Sequence, residues 1–69
     1  MATIEIKPGF GKRLKKLRLE KGVTQEILAQ EIHVTRQTIS GWERGRSEPD
    51  LSTLLCLARY FNVTIDELL

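Results

Sequence analysis

Residues 35–45 carry polar side chains of the types that hydrogen-bond to nucleic-acid bases. A helix turns by about 100° per residue, so several of these side chains would share one face. That face consists of Arg36, Gln37, Ser40, Gly41 and Arg44. Arginine pairs with guanine through two hydrogen bonds, glutamine pairs with adenine, and serine or threonine with either. The pattern indicates base recognition, and an ordinary polar surface is the alternative.

The opposite face of the same segment is mostly apolar and is expected to be buried. It carries Ile39, Trp42 and Glu43. Thr35 can cap the start of the helix, because its hydroxyl accepts a hydrogen bond from a free backbone N–H. Gly45 can end the helix in the left-handed conformation, which costs glycine less than other residues.

A second short helix precedes this one, over residues 24–32, with Thr24 as its cap. Its expected buried side chains are Leu28, Ala29 and Ile32. His33 and Val34 form the turn between the two helices. The sequence therefore predicts a helix-turn-helix at about residues 24–44.

Three further helices are predicted, over residues 10–21, 51–61 and 65–69. In the first, Phe10, Leu14 and Leu17 recur with helical spacing, and Gly22 follows it. Asp50 and Thr64 can cap the other two. The buried face of residues 51–61 is expected to hold Leu51, Leu54, Leu55, Ala58 and Phe61. The prediction is an all-α domain of five helices over residues 10–69.

Residues 1–9 are predicted to form an N-terminal arm outside this domain. Ile4, Glu5 and Ile6 alternate as in a strand, and Pro8-Gly9 ends the pattern. Since no second strand is predicted, we expect the arm either to be disordered or to pair with another molecule.

Charge is distributed unevenly along the chain. Residues 1–22 contain seven Lys and Arg against two Glu, a net charge of +5, and residues 23–46 are neutral. Residues 47–69 contain one Arg against four acids, so the whole chain has a net charge of +2. An electropositive side attracts polyanions. The alternative is that Lys12, Lys15, Lys16 and Lys21 form only the solvated face of a helix.

Composition argues against several classes of protein. The 69 residues contain no apolar run of the roughly 18 residues that cross a membrane, and no secretory signal. Cys56 is the only cysteine, which excludes an internal disulfide and fits a reducing cytoplasm. We expect Cys56 to be a surface thiol, with redox sensing as the alternative. One His and one Cys favour neither a metal nor a catalytic site, so no cofactor and no enzyme activity are expected.

Many motifs stand together in the order and spacing of one family. They are Leu14-Lys15-Lys16-Leu17-Arg18, Gly22-Val23-Thr24-Gln25, Leu28-Ala29, Val34-Thr35-Arg36-Gln37-Thr38-Ile39, Trp42-Glu43, Gly45 and Glu48-Pro49. The chain resembles the lambda-repressor-like helix-turn-helix domains of the Cro or Xre family, over about residues 10–69. The resemblance implies a five-helix bundle whose third helix enters the major groove of double-stranded DNA. It also implies a homodimer on a roughly palindromic operator.

The resemblance also implies roles for individual residues. Gln25 would hold a phosphate and support the recognition helix, and Arg36 and Gln37 would read bases. Contacts to phosphates or to the groove edge are implied for Thr35, Thr38 and Ser40, and a contact to the DNA backbone for Arg44, in the turn after the recognition helix. Arg18 and Glu43 would form a partly buried ion pair, with two independent surface charges as the alternative.

Two positions depart from the family pattern. His33 stands at the turn position that is usually glycine, where a positive φ would cost histidine some energy. Gly41 stands where several relatives carry a long base-reading side chain. Either residue 41 reads no base in this protein, or its lack of a side chain lets the backbone approach DNA closely.

The sequence thus predicts a cytoplasmic, nucleoid-associated transcriptional regulator, most simply a dimeric repressor. The alternative is a protein-interaction module of the same fold, such as an antitoxin or a bridging adaptor. Ile65, Leu68 and Leu69 are the predicted dimer surface, unless they pack into the core. No site for a small-molecule effector is evident.

Overall fold

Five helices make up the computed structural model, which describes residues 5–69. They are Phe10–Lys21 (α1), Gln25–Glu31 (α2), Arg36–Glu43 (α3), Leu51–Phe61 (α4) and Ile65–Leu68 (α5). There is no strand within residues 5–69. The predicted all-α fold is confirmed, and the helix boundaries agree with the sequence prediction to within one residue.

Three of the four junctions between helices repeat one local structure. They are Gly22-Val23-Thr24, His33-Val34-Thr35 and Asn62-Val63-Thr64. The first residue is left-handed, with φ of 76°, 62° and 56°. The valine N–H donates to the carbonyl five residues back, at 3.2, 2.9 and 3.0 Å. The threonine hydroxyl accepts from the first turn of the next helix. Each junction therefore ends one helix and starts the next, and it supplies hydrogen-bond partners to backbone groups at both helix ends.

His33, at the turn between α2 and α3, has the positive φ that glycine usually supplies at this position of the family. Asn62 fills the equivalent place after α4, so two of the three junctions use a residue other than glycine. Asn and His enter the left-handed region more readily than most residues, which explains how these turns form without glycine.

The hydrophobic core draws on all five helices. Its buried apolar side chains are Phe10, Leu14, Leu28, Ala29, Ile39, Trp42, Leu54, Leu57, Ala58 and Leu68. Two predictions about it were wrong. In α4, Leu51 and Leu55 are 49% and 46% exposed, and Leu57 is buried in their place. Because α4 has leucines on more than one face, spacing alone could not select the face that meets α1 and α5.

The predicted dimer surface also needs correction. Leu68 is completely buried in the core, and Ile65 and Leu69 are half-buried against it. These three side chains therefore complete the core, which was the alternative considered for them. They do not form a free apolar surface.

Part of the N-terminal arm lies against the domain. Ile6 packs on the core. The guanidinium of Arg13 donates to the carbonyl oxygens of Lys7 and Pro8 at 3.2 and 3.0 Å, and to that of Leu68 at 3.2 Å. Ile6, Lys7 and Pro8 therefore contact the domain, which was not among the alternatives expected for the arm, and pairing of the arm with another molecule stays a prediction. Ile4 and the residues before it lie outside the described residues.

Gly11 brings the backbones of α1 and α3 into close approach. A Cβ at this position would lie 2.5 Å from the carbonyl oxygen of Glu43 and 2.6 Å from that of Trp42. Real Cβ atoms do not approach backbone oxygens so closely, so only glycine fits without displacing α3. The sequence analysis missed this residue, because a glycine inside a helix gives no sign of what it faces.

A buried ion pair joins the same two helices. Arg18 Nε lies 2.7 Å from Glu43 Oε2, and Arg18 Nη2 donates to Glu43 Oε1 at 3.1 Å. The Arg18 Nη1 group donates to the carbonyl oxygen of Val23 at 3.0 Å. The Glu43 side chain is only 4% exposed. A pair so withdrawn from water leaves an uncompensated charge when one partner is lost.

We predict that Glu43→Ala lowers the free energy of unfolding by about 3 kcal/mol, since it strands the Arg18 guanidinium in the interior. Urea unfolding followed by circular dichroism measures this. Glu20→Ala, which removes an exposed carboxylate from α1, is the control and should change stability by less than about 0.5 kcal/mol. The double change Arg18→Met with Glu43→Leu should recover much of the loss. If Glu43→Ala and Glu20→Ala were equally stable, the Arg18–Glu43 ion pair would have no structural role.

We also predict that Gly11→Ala destabilises the fold by about 1–3 kcal/mol, although alanine favours a helix by about 1 kcal/mol over glycine. The matched control is Gly41→Ala in α3, whose added methyl would meet only the Ser47 hydroxyl, at 3.1 Å. That side chain is exposed and can turn away. Thermal melts should therefore move in opposite directions for the two variants. If the melting temperatures of both variants shift in the same direction, the backbone of α3 does not restrict the side chain at residue 11.

Candidate nucleic-acid interface

The inner face of α3 fixes which of its side chains point outward. Ile39 is fully buried and Trp42 is 5% exposed. At the start of α3, the Thr35 hydroxyl accepts from the Thr38 N–H at 3.2 Å and lies 2.8 Å from the Thr38 hydroxyl. The helix is therefore held at both its inner face and its N-terminus, which leaves its opposite face to solvent.

The polar face predicted from the sequence forms one continuous surface. Five predicted site residues and one further residue line a shallow depression of about 300 Å³. They are Arg36, Gln37, Ser40, Gly41, Arg44 and Arg46, and together we name them the α3 surface. The side chains of Arg36, Gln37, Arg44 and Arg46 are exposed, and Ser40 and Gly41 are half-buried. Thr35 and Thr38 stand at the N-terminal end of the same helix.

Arg46 is the member of the α3 surface that the sequence analysis missed. Gly45 is left-handed, with φ of 75°. This reverses the chain so that the Arg46 N–H donates to the Gly41 carbonyl at 2.8 Å, and the Gly45 N–H to that of Trp42 at 3.2 Å. The signal was available, because a glycine placed directly after a helix predicts this turn. The turn brings Arg46 back beside Gly41.

The α3 surface carries three guanidinium groups and no carboxylate. Within residues 5–69 the ion pair is Arg18–Glu43, so Arg36, Arg44 and Arg46 have no acidic partner there. Guanidinium groups bind phosphate and the guanine edge through paired N–H donors. The surface is thus suited to an anionic ligand with planar acceptors.

Gln25 occupies a different position from the other predicted site residues. Its Nε2 donates to Glu43 Oε1 at 3.0 Å, so the carboxylate accepts from Arg18 and Gln25 together. Gln25 is half-buried and lines a second depression, which it shares with Thr24 and Arg36. This hydrogen bond joins the first residue of α2 to the last residue of α3, and the role expected of Gln25 toward a phosphate and the recognition helix stays a prediction. The geometry places Gln25 beside the α3 surface and not within it.

The other chemistry-bearing residues lie apart from this surface. His33 is exposed, and so is Cys56. In the part of the chain that the structure describes, no three side chains of His, Cys, Asp or Glu are grouped so as to hold a metal ion. Among the described helices, none has the length and apolar character needed to cross a membrane.

Comparison with known proteins agrees with this geometry. A family model for the helix-turn-helix matches residues 14–68. The HTH-type transcriptional activator BcrR of Enterococcus faecalis is 47% identical over 60 residues, which are 87% of this chain and 29% of that protein. The chain spans 47–56% of the length of three similar regulators from Bacillus subtilis.

Two solved structures share both the fold and part of the sequence. The restriction-modification controller protein C.AhdI from Aeromonas hydrophila superimposes with a TM-score of 0.80 at 38% identity, covering 87% of this chain and 91% of that chain. The P22 c2 repressor, solved in complex with a synthetic operator, superimposes with a TM-score of 0.82 at 32% identity and the same coverage. The chain belongs to the lambda-repressor-like helix-turn-helix family, of the Cro/C1 type.

Proposed function

We propose that this chain is a DNA-binding transcriptional regulator that inserts α3 into the major groove of double-stranded DNA. The observation that carries the proposal is the α3 surface, with Gln37 and three guanidiniums that have no ion-pair partner among residues 5–69 on one outward face. The major groove of B-DNA is about 12 Å wide and admits one α-helix. The P22 c2 repressor, which shares the fold, was solved on an operator.

Within the α3 surface we assign base reading to Arg36 and Gln37. They begin the helix, and both are exposed, so they can reach deepest into the groove. We assign phosphate contacts to Arg44 and Arg46, which lie at and beyond the end of α3. Thr35, Thr38 and Ser40 contact the groove edge or phosphates. Gly41 has no side chain and lets the backbone approach, and Gln25 supports α3 and faces the adjoining phosphate.

We further propose that two copies bind a roughly palindromic operator, with half-sites about 34 Å apart. Repression is the outcome that we propose, because the P22 c2 repressor shares this fold. This role places the protein on the nucleoid, in the cytoplasm.

The alternative, an antitoxin or adaptor, would bind its partner through the arm. It is disfavoured because Arg13 donates to the carbonyl oxygens of Lys7 and Pro8, which ties this part of the arm to α1.

Arg36→Ala and Gln37→Ala should each weaken binding to the preferred site by about 1–3 kcal/mol and flatten the preference among sequences. The preferred site comes from selection of randomised duplexes, and binding is measured by fluorescence anisotropy on cognate and scrambled DNA. Gln30→Ala, an exposed glutamine on α2, is the control and should bind as the unmodified protein does. An equal loss on every duplex would refute the assignment of base reading.

Arg44→Ala and Arg46→Ala should behave differently, lowering affinity by a similar factor on all duplexes. Each removes about one phosphate contact, so the slope of log affinity against log salt should become shallower by about 0.9. Arg44→Lys keeps the charge and should keep the slope. If the slope is unchanged in both alanine variants, these arginines do not contact phosphates.

A further inference from the structure

The α3 surface has a gap at Gly41, the one member of that surface without a side chain. Successive residues of a helix turn by about 100°, so Gly41 lies within about 60° of Gln37 and Arg44 around the axis of α3. Glycine inside a helix is less favourable than alanine. The backbone of Gly41 has no positive φ that would require glycine. The reason for this glycine must therefore lie outside its own helix.

The hydroxyl of Ser47 lies beside this gap. A Cβ built on Gly41 would stand 3.1 Å from Ser47 Oγ, which is tighter than ordinary van der Waals contact. A side chain at residue 41 and the Ser47 hydroxyl thus compete for the same space. Ser47 is itself exposed to solvent. The space next to Gly41 is therefore taken by a polar group from the following loop, and that group remains accessible to a ligand.

The backbone around Ser47 is anchored on both sides. Before it, Gly45 is left-handed with φ of 75°, and the Arg46 N–H donates to the Gly41 carbonyl at 2.8 Å. After it, Pro49 is buried. The backbone of Ser47 is therefore positioned beside Gly41 before any ligand binds, which lowers the ordering cost of a contact made by this residue.

We propose that Ser47 is a further specificity-determining residue, whose hydroxyl reads a base edge in place of a side chain at residue 41. The inference rests on the proposed function, because it adds a contact within the same major groove. A serine hydroxyl both donates and accepts a hydrogen bond, so it pairs with the acceptors or the donors of a base edge. Gln37 and Gly41 are neighbours on successive turns of α3, so the base contacted by Ser47 lies next to the one read by Gln37.

This pairing of residues accounts for the glycine in α3. Any larger residue at position 41 would push the Ser47 hydroxyl away from the helix, so helix stability is given up for the position of that hydroxyl. The hydroxyl is uncharged, whereas Arg44 and Arg46 bring the positive charge at this end of the surface. Ser47 should therefore affect the preference among sequences and not the dependence of affinity on salt.

The test repeats the selection from randomised duplexes with Ser47→Ala and measures affinity by fluorescence anisotropy. The selected consensus should lose its preference at one or two neighbouring positions, which differ from those affected by Arg36→Ala and Gln37→Ala. Affinity for the preferred site should fall by about twofold to tenfold, as expected for the loss of one neutral hydrogen bond. Ser47→Thr keeps the hydroxyl and should keep the consensus. Ser52→Ala, which changes an exposed serine of α4, is the matched control and should alter neither.

Gly41→Ala separates a role in recognition from a role in the fold. Its methyl group makes the Ser47 hydroxyl turn away, so the same positions of the consensus should lose their preference although the helix becomes more stable. Circular dichroism melts measure that stability, and Ser47→Ala should leave the melting temperature unchanged.

Three results would overturn the inference. Ser47→Ala with a lower melting temperature and an unchanged consensus would show a purely structural serine. An equal loss of affinity on every duplex would show a phosphate contact. If the unmodified protein selects no consensus, the proposed function fails and this inference fails with it. A consensus that Ser47→Ala leaves intact rejects the inference alone.

Discussion

The rotation of α3 about its own axis depends on one buried carboxylate. Glu43 stands in the last turn of α3 and accepts hydrogen bonds from Arg18 in α1 and Gln25 in α2. A carboxylate this far from water is stable only while its partners remain in place. Three helices are therefore fixed relative to each other at one point, and α3 cannot turn about its axis without stranding a charge. The outward direction of Arg36 and Gln37 follows from this constraint.

The same end of α3 is held by two further features. Gly11 lets the backbone of α1 reach the carbonyls of Trp42 and Glu43, and Trp42 itself is buried. The left-handed turn at Gly45 then fixes Arg46 beside Gly41. Because the C-terminal end of α3 is held in this way, the backbone that carries Arg44 and Arg46 is positioned before any ligand arrives. Such preorganisation reduces the ordering cost of binding.

Most of the fold could be predicted from the sequence, because the relevant signals are local. Thr24, Thr35, Asp50 and Thr64 each cap the helix that follows them, and cap chemistry depends only on neighbouring residues. The two faces of α3 followed from helical spacing in the same way. What could not be predicted depends on contacts between distant segments.

The burial of Leu57 in place of Leu51 and Leu55 is the clearest such case. A helix with leucines on several faces has no single stripe, and which face is buried depends on where α1 and α5 lie. The function of Gly11 likewise depends on a backbone that lies more than 30 residues away in the chain. For the arm, the pattern Ile4-Glu5-Ile6 resembled a strand. That pattern did not predict the contacts of Lys7 and Pro8 with Arg13, or the packing of Ile6 on the core.

The loop between α3 and α4 is anchored at both of its ends. At its start the Arg46 N–H donates to the Gly41 carbonyl at 2.8 Å, and at its end Asp50 accepts from the Thr53 N–H at 2.9 Å. Between them Pro49 is buried, and its ring fixes φ at about −65°. The position of Arg46 on the α3 surface therefore depends on where α4 begins, whereas the positions of Arg36 and Gln37 depend on α3 alone. In the proposed function, the phosphate contacts and the bases read by Arg36 and Gln37 are thus set by different parts of the fold.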